Sequence, residues 1–378
     1  QKTDYEILSG LVGSEMCIRD RYIPMLKLLS TVRHYASRNA TALKLNYVCN
    51  YGKQKCPGNI KQQSLFLHKE LPVRLAQRAV ELENLPYSVS STPSIQNVYD
   101  LYLKSFDKIT SHPEPNSTEE SNSFTELISN IKIEHKDLEL DISNALEPYR
   151  EKHGNKSISK DEIIIIDKTL EHFYSSRIGI RFLIGQHVDV QKDSLSETTV
   201  GVIDIKCDPH KVIKHAVEDV KMIVDNVFYK DLEIELDLAK SDYEFLYIPS
   251  HLYYIVFEVL KNAGRATAEF NDCTKPIKIQ TSVSKNDFII KISDNGGGFS
   301  REVLENIFSF SFTTANENHE NRGIKIAGYG HGLGLSRIYA RYFGGDMTVS
   351  PVEGVGTDVY IYLNRFGDKS ENVADERT

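Results

Sequence analysis

Glu258 and Asn262 stand four residues apart in HLYYIVFEVLKNAGRAT, His251 to Thr267, a run with helical spacing. Residues at i and i+4 share one face of a helix. Leu252, Ile255, Val256, Val259, Leu260 and Ala263 supply the apolar stripe that would seat that helix on a core. The polar pair therefore points together toward a pocket. A carboxylate can orient or deprotonate a hydroxyl nucleophile, and a carboxamide oxygen is a hard ligand suited to Mg²⁺. Taken alone, the run reads equally well as an amphipathic surface helix.

Two downstream segments add chemistry that a surface helix does not need. FIIKISDNGGGFS, Phe288 to Ser300, reads as a buried strand ending in Asp294 and running into the glycines 296 to 298. An acid at a strand end can accept a hydrogen bond from a ligand amino group, and the glycines let backbone come close to that ligand. GYGHGLGLSRIYARYFGG, Gly328 to Gly345, places glycines at 328, 330, 332 and 334 ahead of a helix beginning near Leu333. Free backbone N–H groups and a helix N-terminus suit a polyphosphate. No GK[ST] follows, so the segment is not a Walker A loop.

These segments, in this order, resemble the ATP-binding domain shared by histidine kinases, gyrase, the Hsp90 chaperones and MutL. Within that group they are similar to the mitochondrial 2-oxoacid dehydrogenase kinases, which act on pyruvate or branched-chain 2-oxoacid dehydrogenase. ELPVR within HKELPVRLAQRAVEL (His68 to Leu82), TPSIQNVYDLYLKSF (Thr92 to Phe106) and SRIGIR within FYSSRIGIRFLIGQH (Phe173 to His187) extend the resemblance over most of residues 66 to 366. It implies an α+β chain, with an N-terminal four-helix bundle followed by a Bergerat-type α/β-sandwich ATP-binding domain.

By that resemblance Glu258 is the general base and Asn262 the Mg²⁺ ligand, with Lys261 and Arg265 flanking the site. Asp294 would bind the adenine amino group, and Gly296 and Gly298 would shape the base pocket. Thr313 and Thr314 would touch the nucleotide; Gly328, Tyr329, Gly330, His331, Gly332 and Leu333 would wrap its phosphates. Thr357 sits on a closing strand nearby. The cofactors implied are ATP and Mg²⁺, with K⁺ a further candidate ion. His135 and Arg181 would form a regulatory pocket for a carboxylate effector between bundle helices, whereas on its own His135 reads as a satisfied core histidine.

The implied activity is a protein-serine kinase of the mitochondrial matrix. It would phosphorylate and inactivate a 2-oxoacid dehydrogenase complex on its E1 alpha subunit, with pyruvate dehydrogenase favoured over the branched-chain enzyme. The resemblance also implies docking to the lipoyl domain of the E2 acyltransferase core, and a homodimer. A more distant alternative is a histidine kinase that autophosphorylates on His68. Three departures from the family pattern stand out. Gly264 replaces methionine in KNAGRAT, Tyr254 stands where pyruvate dehydrogenase kinases carry histidine, and the chain contains no tryptophan for an Asp-Trp tail motif.

Composition sets the bounds. With 378 residues and 40% hydrophobic content the chain can hold about two domains. A net charge of −8 and a pI near 5.9 argue against nucleic acid as the main partner. No apolar run approaches the roughly 20 residues of a membrane span. Cysteines 17, 49, 56, 207 and 273 form no CxxC pair, so a disulfide framework or zinc site is not expected.

Residues 22 to 69 before the ELPVR motif carry no acidic residue, and MLKLLSTVRHYASRN from Met25 has the composition of a mitochondrial transit peptide, expected over 25–45. Residues 1–24 match nothing in the resembling family and read as a translation or assembly scar. The bundle is expected over 46–195, with one long helix carrying Phe124 through Leu146, and the ATP-binding domain over 196–366. Ser311 to Ala327 reads as a lid, and 367–378 as a polar tail.

Overall fold

The computed structural model describes residues 25–53, 57–151, 159–192, 198–241, 243–312 and 331–372. The helical half contains α1 (25–36), α2 (Leu45–Gly52), α3 (Pro57–Glu83), α4 (Tyr87–Ser90), α5 (Pro93–Ser111), α6 (Thr118–Glu134), α7 (Leu138–Glu151) and α8 (Lys160–Gln191). Local signals start these helices where the sequence places them. The Thr92 side chain accepts from Ile95 N–H with Pro93 at the first helical position, and Ser117 and Ser159 form capping boxes with Glu120 and Glu162. Helices α3, α5, α6 and α8 pack around Leu71, Tyr102, Phe106, Phe124 and Phe173, all buried.

One expectation fails here. The long helix predicted through residues 124–146 is broken between Glu134 and Leu138 into α6 and α7. His135 closes α6 with its N–H on Ile131 O, and Asp137 O takes the first amides of α7, from Leu140 and Asp141. A stripe of apolar residues can continue across such a turn, so periodicity alone does not reveal it. The break delivers the His135 ring into the bundle.

The second half holds a small antiparallel sheet, order β1-β2-β4, from β1 (Thr199–Val200), β2 (Ile203–Cys207) and β4 (Phe245–Tyr247). A five-stranded mixed sheet has the order β3-β5-β6-β8-β7, from β3 (Ile234–Asp237), β5 (Ile277–Val283), β6 (Asp287–Asp294), β7 (Asp346–Val352) and β8 (Gly356–Asn364). Only β3 and β5 pair in parallel. Period-two alternation puts Ile277, Ile279, Phe288, Ile290, Ile292, Val359, Ile361 and Leu363 on one buried face. Helices α9 (Pro209–Phe228), α10 (Pro249–Asn271) and α12 (Gly332–Tyr342) cover it, and α11 (Arg301–Asn306) lies beside β7. The architecture is α+β, a helical bundle followed by an α/β sandwich.

The halves share a core, because Phe310, Leu335, Ile338, Tyr342 and Phe343 pack among the bundle residues. The first and last described segments, around residues 32–45 and at residue 371, pack at this seam. The stretch expected as a transit peptide buries Val32 and Leu45, and the Thr41 N–H and hydroxyl both donate to Glu70. The stretch expected as a polar tail docks through residue 372. Glu371 is buried, its N–H donates to Leu43 O, and its carboxylate receives Arg74 and the Tyr342 hydroxyl. Residues 1–24 and 373–378 lie outside the described residues.

Candidate active site

Helix α10 presents its site residues because its other faces are committed to the core. Leu252, Ile255, Val256, Val259 and Leu260 are buried against the sheet and α9, which leaves Glu258, Asn262 and Arg265 along a cavity of about 460 Å³. That volume falls in the range of small-molecule sites, roughly 300–1,000 Å³. The opposite side is built by Ile292, Asp294, Gly296 and Gly298 at the end of β6, by Thr357 on β8, and by Gly332 and Leu333 at the start of α12.

Each polar group has a definite setting. The Glu258 Oε1 receives Lys261 Nζ at 2.6 Å, so the ammonium orients the carboxylate rather than lining the cavity. The other oxygen faces α12. A Cβ on Gly332 would sit 2.3 Å from Glu258 Oε2, so a larger residue there would displace the carboxylate from its place against the helix N-terminus. Asn262 lines the cavity, and its carboxamide has no protein partner among the described residues. An uncommitted hard oxygen facing a cavity beside a carboxylate fits a Mg²⁺ ligand. Arg265 lies over the cavity wall, 3.6 Å from Glu269.

Asp294 accepts two backbone N–H groups, from Gly296 at 2.8 Å and Thr357 at 3.2 Å, both on Oδ1. Its Oδ2 accepts no hydrogen bond among the described residues. Burial pushes the carboxyl up to about 6, against the opposing pull of those two amides. Gly296 makes this corner possible, because a Cβ there would meet the Ala266 side chain and backbone at 2.5 and 2.7 Å. Thus Glu258, Asn262, Arg265, Asp294, Gly296, Gly298, Gly332, Leu333 and Thr357 converge on one cavity. His331 is buried just behind α12, and Lys261 acts through Glu258. Thr313, Thr314, Gly328, Tyr329 and Gly330 lie outside the described residues, as does most of the expected lid.

One relative, a mitochondrial pyruvate dehydrogenase (acetyl-transferring) kinase of Arabidopsis thaliana, is 38% identical over 91% of this chain and 96% of its own length. The chain belongs to the mitochondrial 2-oxoacid dehydrogenase kinase family. The corresponding kinases of Drosophila melanogaster and Schizosaccharomyces pombe are 31% and 32% identical, over 92% and 88% of this chain and 87% and 95% of theirs. The family model for mitochondrial branched-chain alpha-ketoacid dehydrogenase kinase matches residues 42–204. That for the histidine kinase-, DNA gyrase B- and HSP90-like ATPase matches residues 247–366, the part that holds the cavity.

Within this family framework two of the departures, Gly264 and Tyr254, can be placed in the structure. Gly264 faces α9, where a Cβ would lie 3.0 Å from Val224, 3.2 Å from Leu232 and 3.4 Å from Val220. A larger side chain there would have to displace these neighbours. Tyr254 packs its ring on Tyr339 of α12 at 4.7 Å, and its phenol is raised well above the ordinary range by burial and by the Glu258 charge.

A second cluster lies between the bundle helices. His135 Nε2 is 2.8 Å from Ser105 Oγ, and its ring packs edge-on against Tyr102. Burial, followed by the neighbouring Arg177, depresses the imidazole to about 4, so it is neutral at physiological pH. Arg177 donates to His135 O and pairs with Glu139 at 3.1 Å. Arg181 makes one long contact, 3.5 Å to Lys132 O, and burial followed by Arg177 lowers its pKa. Sequence reading found His135 and Arg181 but missed Arg177, Tyr102 and Ser105. The spacing of Arg177 and Arg181, one helical turn apart in SRIGIR, was the available signal.

His68 is engaged elsewhere. Its Nε2 lies 2.9 Å from His112 O, and its ring packs on Phe124. Cys49, Cys207 and Cys273 are free thiols, and no group of three or more metal-binding side chains occurs among the described residues. No described helix is long and apolar enough to cross a membrane.

Proposed function

We propose that this chain is an ATP-dependent protein-serine kinase of the mitochondrial matrix. Its substrate is the E1 alpha subunit of pyruvate dehydrogenase, which phosphorylation inactivates. The observation that carries this reading is the single cavity with Asp294 at one end and the Glu258–Asn262 pair at the other. Asp294 Oδ2 accepts the adenine amino group, Gly332 and Leu333 turn backbone toward the phosphates, and Asn262 would hold Mg²⁺. That ion, when bound, neutralises phosphate charge. Glu258, oriented by Lys261, takes or directs the proton of the substrate serine hydroxyl. Catalysis then rests on positioning and electrostatics, as in phosphoryl transfer generally. Potassium has no residue assigned to it.

Glu258→Gln keeps nucleotide binding and lowers turnover by at least about 100-fold, the lower end of general-base contributions. Asn262→Ala loses both. Calorimetric nucleotide titration beside a kinase assay checks the pair, and substantial activity in Glu258→Gln would contradict the base assignment.

Tyr254 favours a second reading, a kinase of branched-chain 2-oxoacid dehydrogenase, since the branched-chain enzyme of the family has tyrosine there. The bundle would dock the lipoyl domain of the E2 core, and the chain would act as a homodimer. The Arg177–Arg181 cluster supports an inhibitory carboxylate effector. Arg177 is buried and Arg181 half-buried beside the carboxylate of Glu139, and a bound anion would balance the second cation. Arg181→Ala should abolish inhibition by a 2-oxoacid or halogenated acid without changing ATP affinity.

A further inference from the structure

The start of α12 is a part of the cavity wall that is held by contacts from the other half of the molecule. Two residues of α8 do this. Asp167 and Tyr174 are seven residues apart, two helical turns, and so share a face. Asp167 Oδ1 accepts the Phe310 N–H at 2.9 Å and lies 3.5 Å from the Ser311 hydroxyl. Tyr174 Oη lies 3.1 Å from His331 Nδ1, and both side chains are buried. The Phe310 ring closes the cluster, 5.1 Å from the Tyr174 ring and 5.3 Å from that of His331. Gly334 packs on Phe308 O and on the Phe310 ring, which fixes the first turn of α12 against the same residues. His331 then passes its placement to Gly332, whose Cα lies against Glu258 Oε2.

We propose that Asp167 and Tyr174 are positioning residues of the kinase site, acting from the bundle through Phe310 and His331 to hold the α12 N-terminus at the phosphate end of the cavity. This rests on the nucleotide reading of the pocket. Neither residue touches the cavity. Their effect is confined to one end of it, because Asp294 and Thr357, at the adenine end, are held by β6 and β8. Burial raises the Asp167 carboxyl, against the hydrogen bonds it accepts, which makes its amide contacts worth preserving as a set.

The test separates the two ends of the nucleotide in the full-length protein. ADP and adenosine are titrated by calorimetry into the parent chain and into Tyr174→Phe, Asp167→Ala and Asp167→Asn. Tyr174→Phe and Asp167→Ala are expected to lose roughly fivefold to tenfold in ADP affinity, the scale of one hydrogen bond, with adenosine affinity unchanged. Asp167→Asn keeps an acceptor for Phe310 N–H and should restore most of the loss. A variant that is merely less folded would bind both ligands to the same reduced extent, which would overturn the proposal, as would unchanged binding of both. A parent chain that binds neither ligand would remove the nucleotide reading itself.

Discussion

At the residue scale the site depends on which protonation states the fold permits. With Asp294 raised to about 6 by burial, its carboxylate is complete only above that pH. Below it, adenosine affinity should fall, approaching tenfold per unit as the ionised fraction drops. Asp294→Asn should bind weakly and lose that pH dependence; an identical profile in the variant would show that another group titrates. The same shift makes ionised Asp294 unfavourable to the folded state, so its contribution to stability declines as pH rises from 3.8 to about 6. Tyr254, neutral throughout this range, adds no titration of its own. Tyr254→His should introduce one into the pH dependence of turnover between about pH 5 and 8, the span of histidine ionisation. Glu258, Asn262 and Asp294 were legible in the sequence because each sits at a diagnostic offset within a strong helix or strand signal. Lys261 was read only as a flanking residue, although its i+3 spacing from Glu258 is one at which helical side chains meet.

At the element scale, two helices carry the functional geometry. Helix α10 was readable outright from its apolar stripe. The α6–α7 break was not, because the stripe of Phe124, Leu127, Ile131, Leu138, Ile142 and Leu146 runs through it and the capping is supplied by backbone amides rather than by a proline or glycine. That turn is what presents His135 to Ser105 and Arg177. Helix α8, 32 residues long, carries Asp167 and Tyr174 toward the ATP-binding half and Arg177 and Arg181 toward His135 and Lys132. Asp167 and Tyr174 meet partners 143 and 157 residues away in sequence, and Arg177 and Arg181 meet partners 42 and 49 residues away, all beyond the reach of a local pattern. If the proposed carboxylate effector binds here, Arg177→Ala should remove its inhibition, as is expected of Arg181→Ala, and should also lower stability, since it leaves Glu139 and two carbonyls without their donor.

At the scale of the whole molecule, the ELPVR motif explains how the two halves stay together. Its ends, Glu70 and Arg74, pair at 2.8 Å, and Arg74 also reaches Thr41 O and the Glu371 carboxylate. Tyr342 at the end of α12 completes the knot, and Gly179 of α8 has no room for a Cβ against Tyr342 and Arg74. Burial opposes the Arg74 charge, but Glu371, Tyr342 and Glu70 outweigh it and hold the guanidinium protonated. Glu371→Ala would leave a buried cation half-compensated, so a loss of about 3–5 kcal/mol is expected in chemical denaturation. Sequence reading recognised the motif through family resemblance, but it assigned Glu371 to a polar tail because a lone charged residue near a terminus gives no sign of its partner.

The central claim is that the Glu258 cavity transfers phosphate from ATP to a serine of pyruvate dehydrogenase. Incubating the purified chain with labelled ATP and, separately, with pyruvate dehydrogenase and branched-chain 2-oxoacid dehydrogenase tests it directly. Acid-stable phosphoserine is expected on the E1 alpha subunit of pyruvate dehydrogenase. Acid-labile label on this chain, or label confined to the branched-chain enzyme, would contradict it.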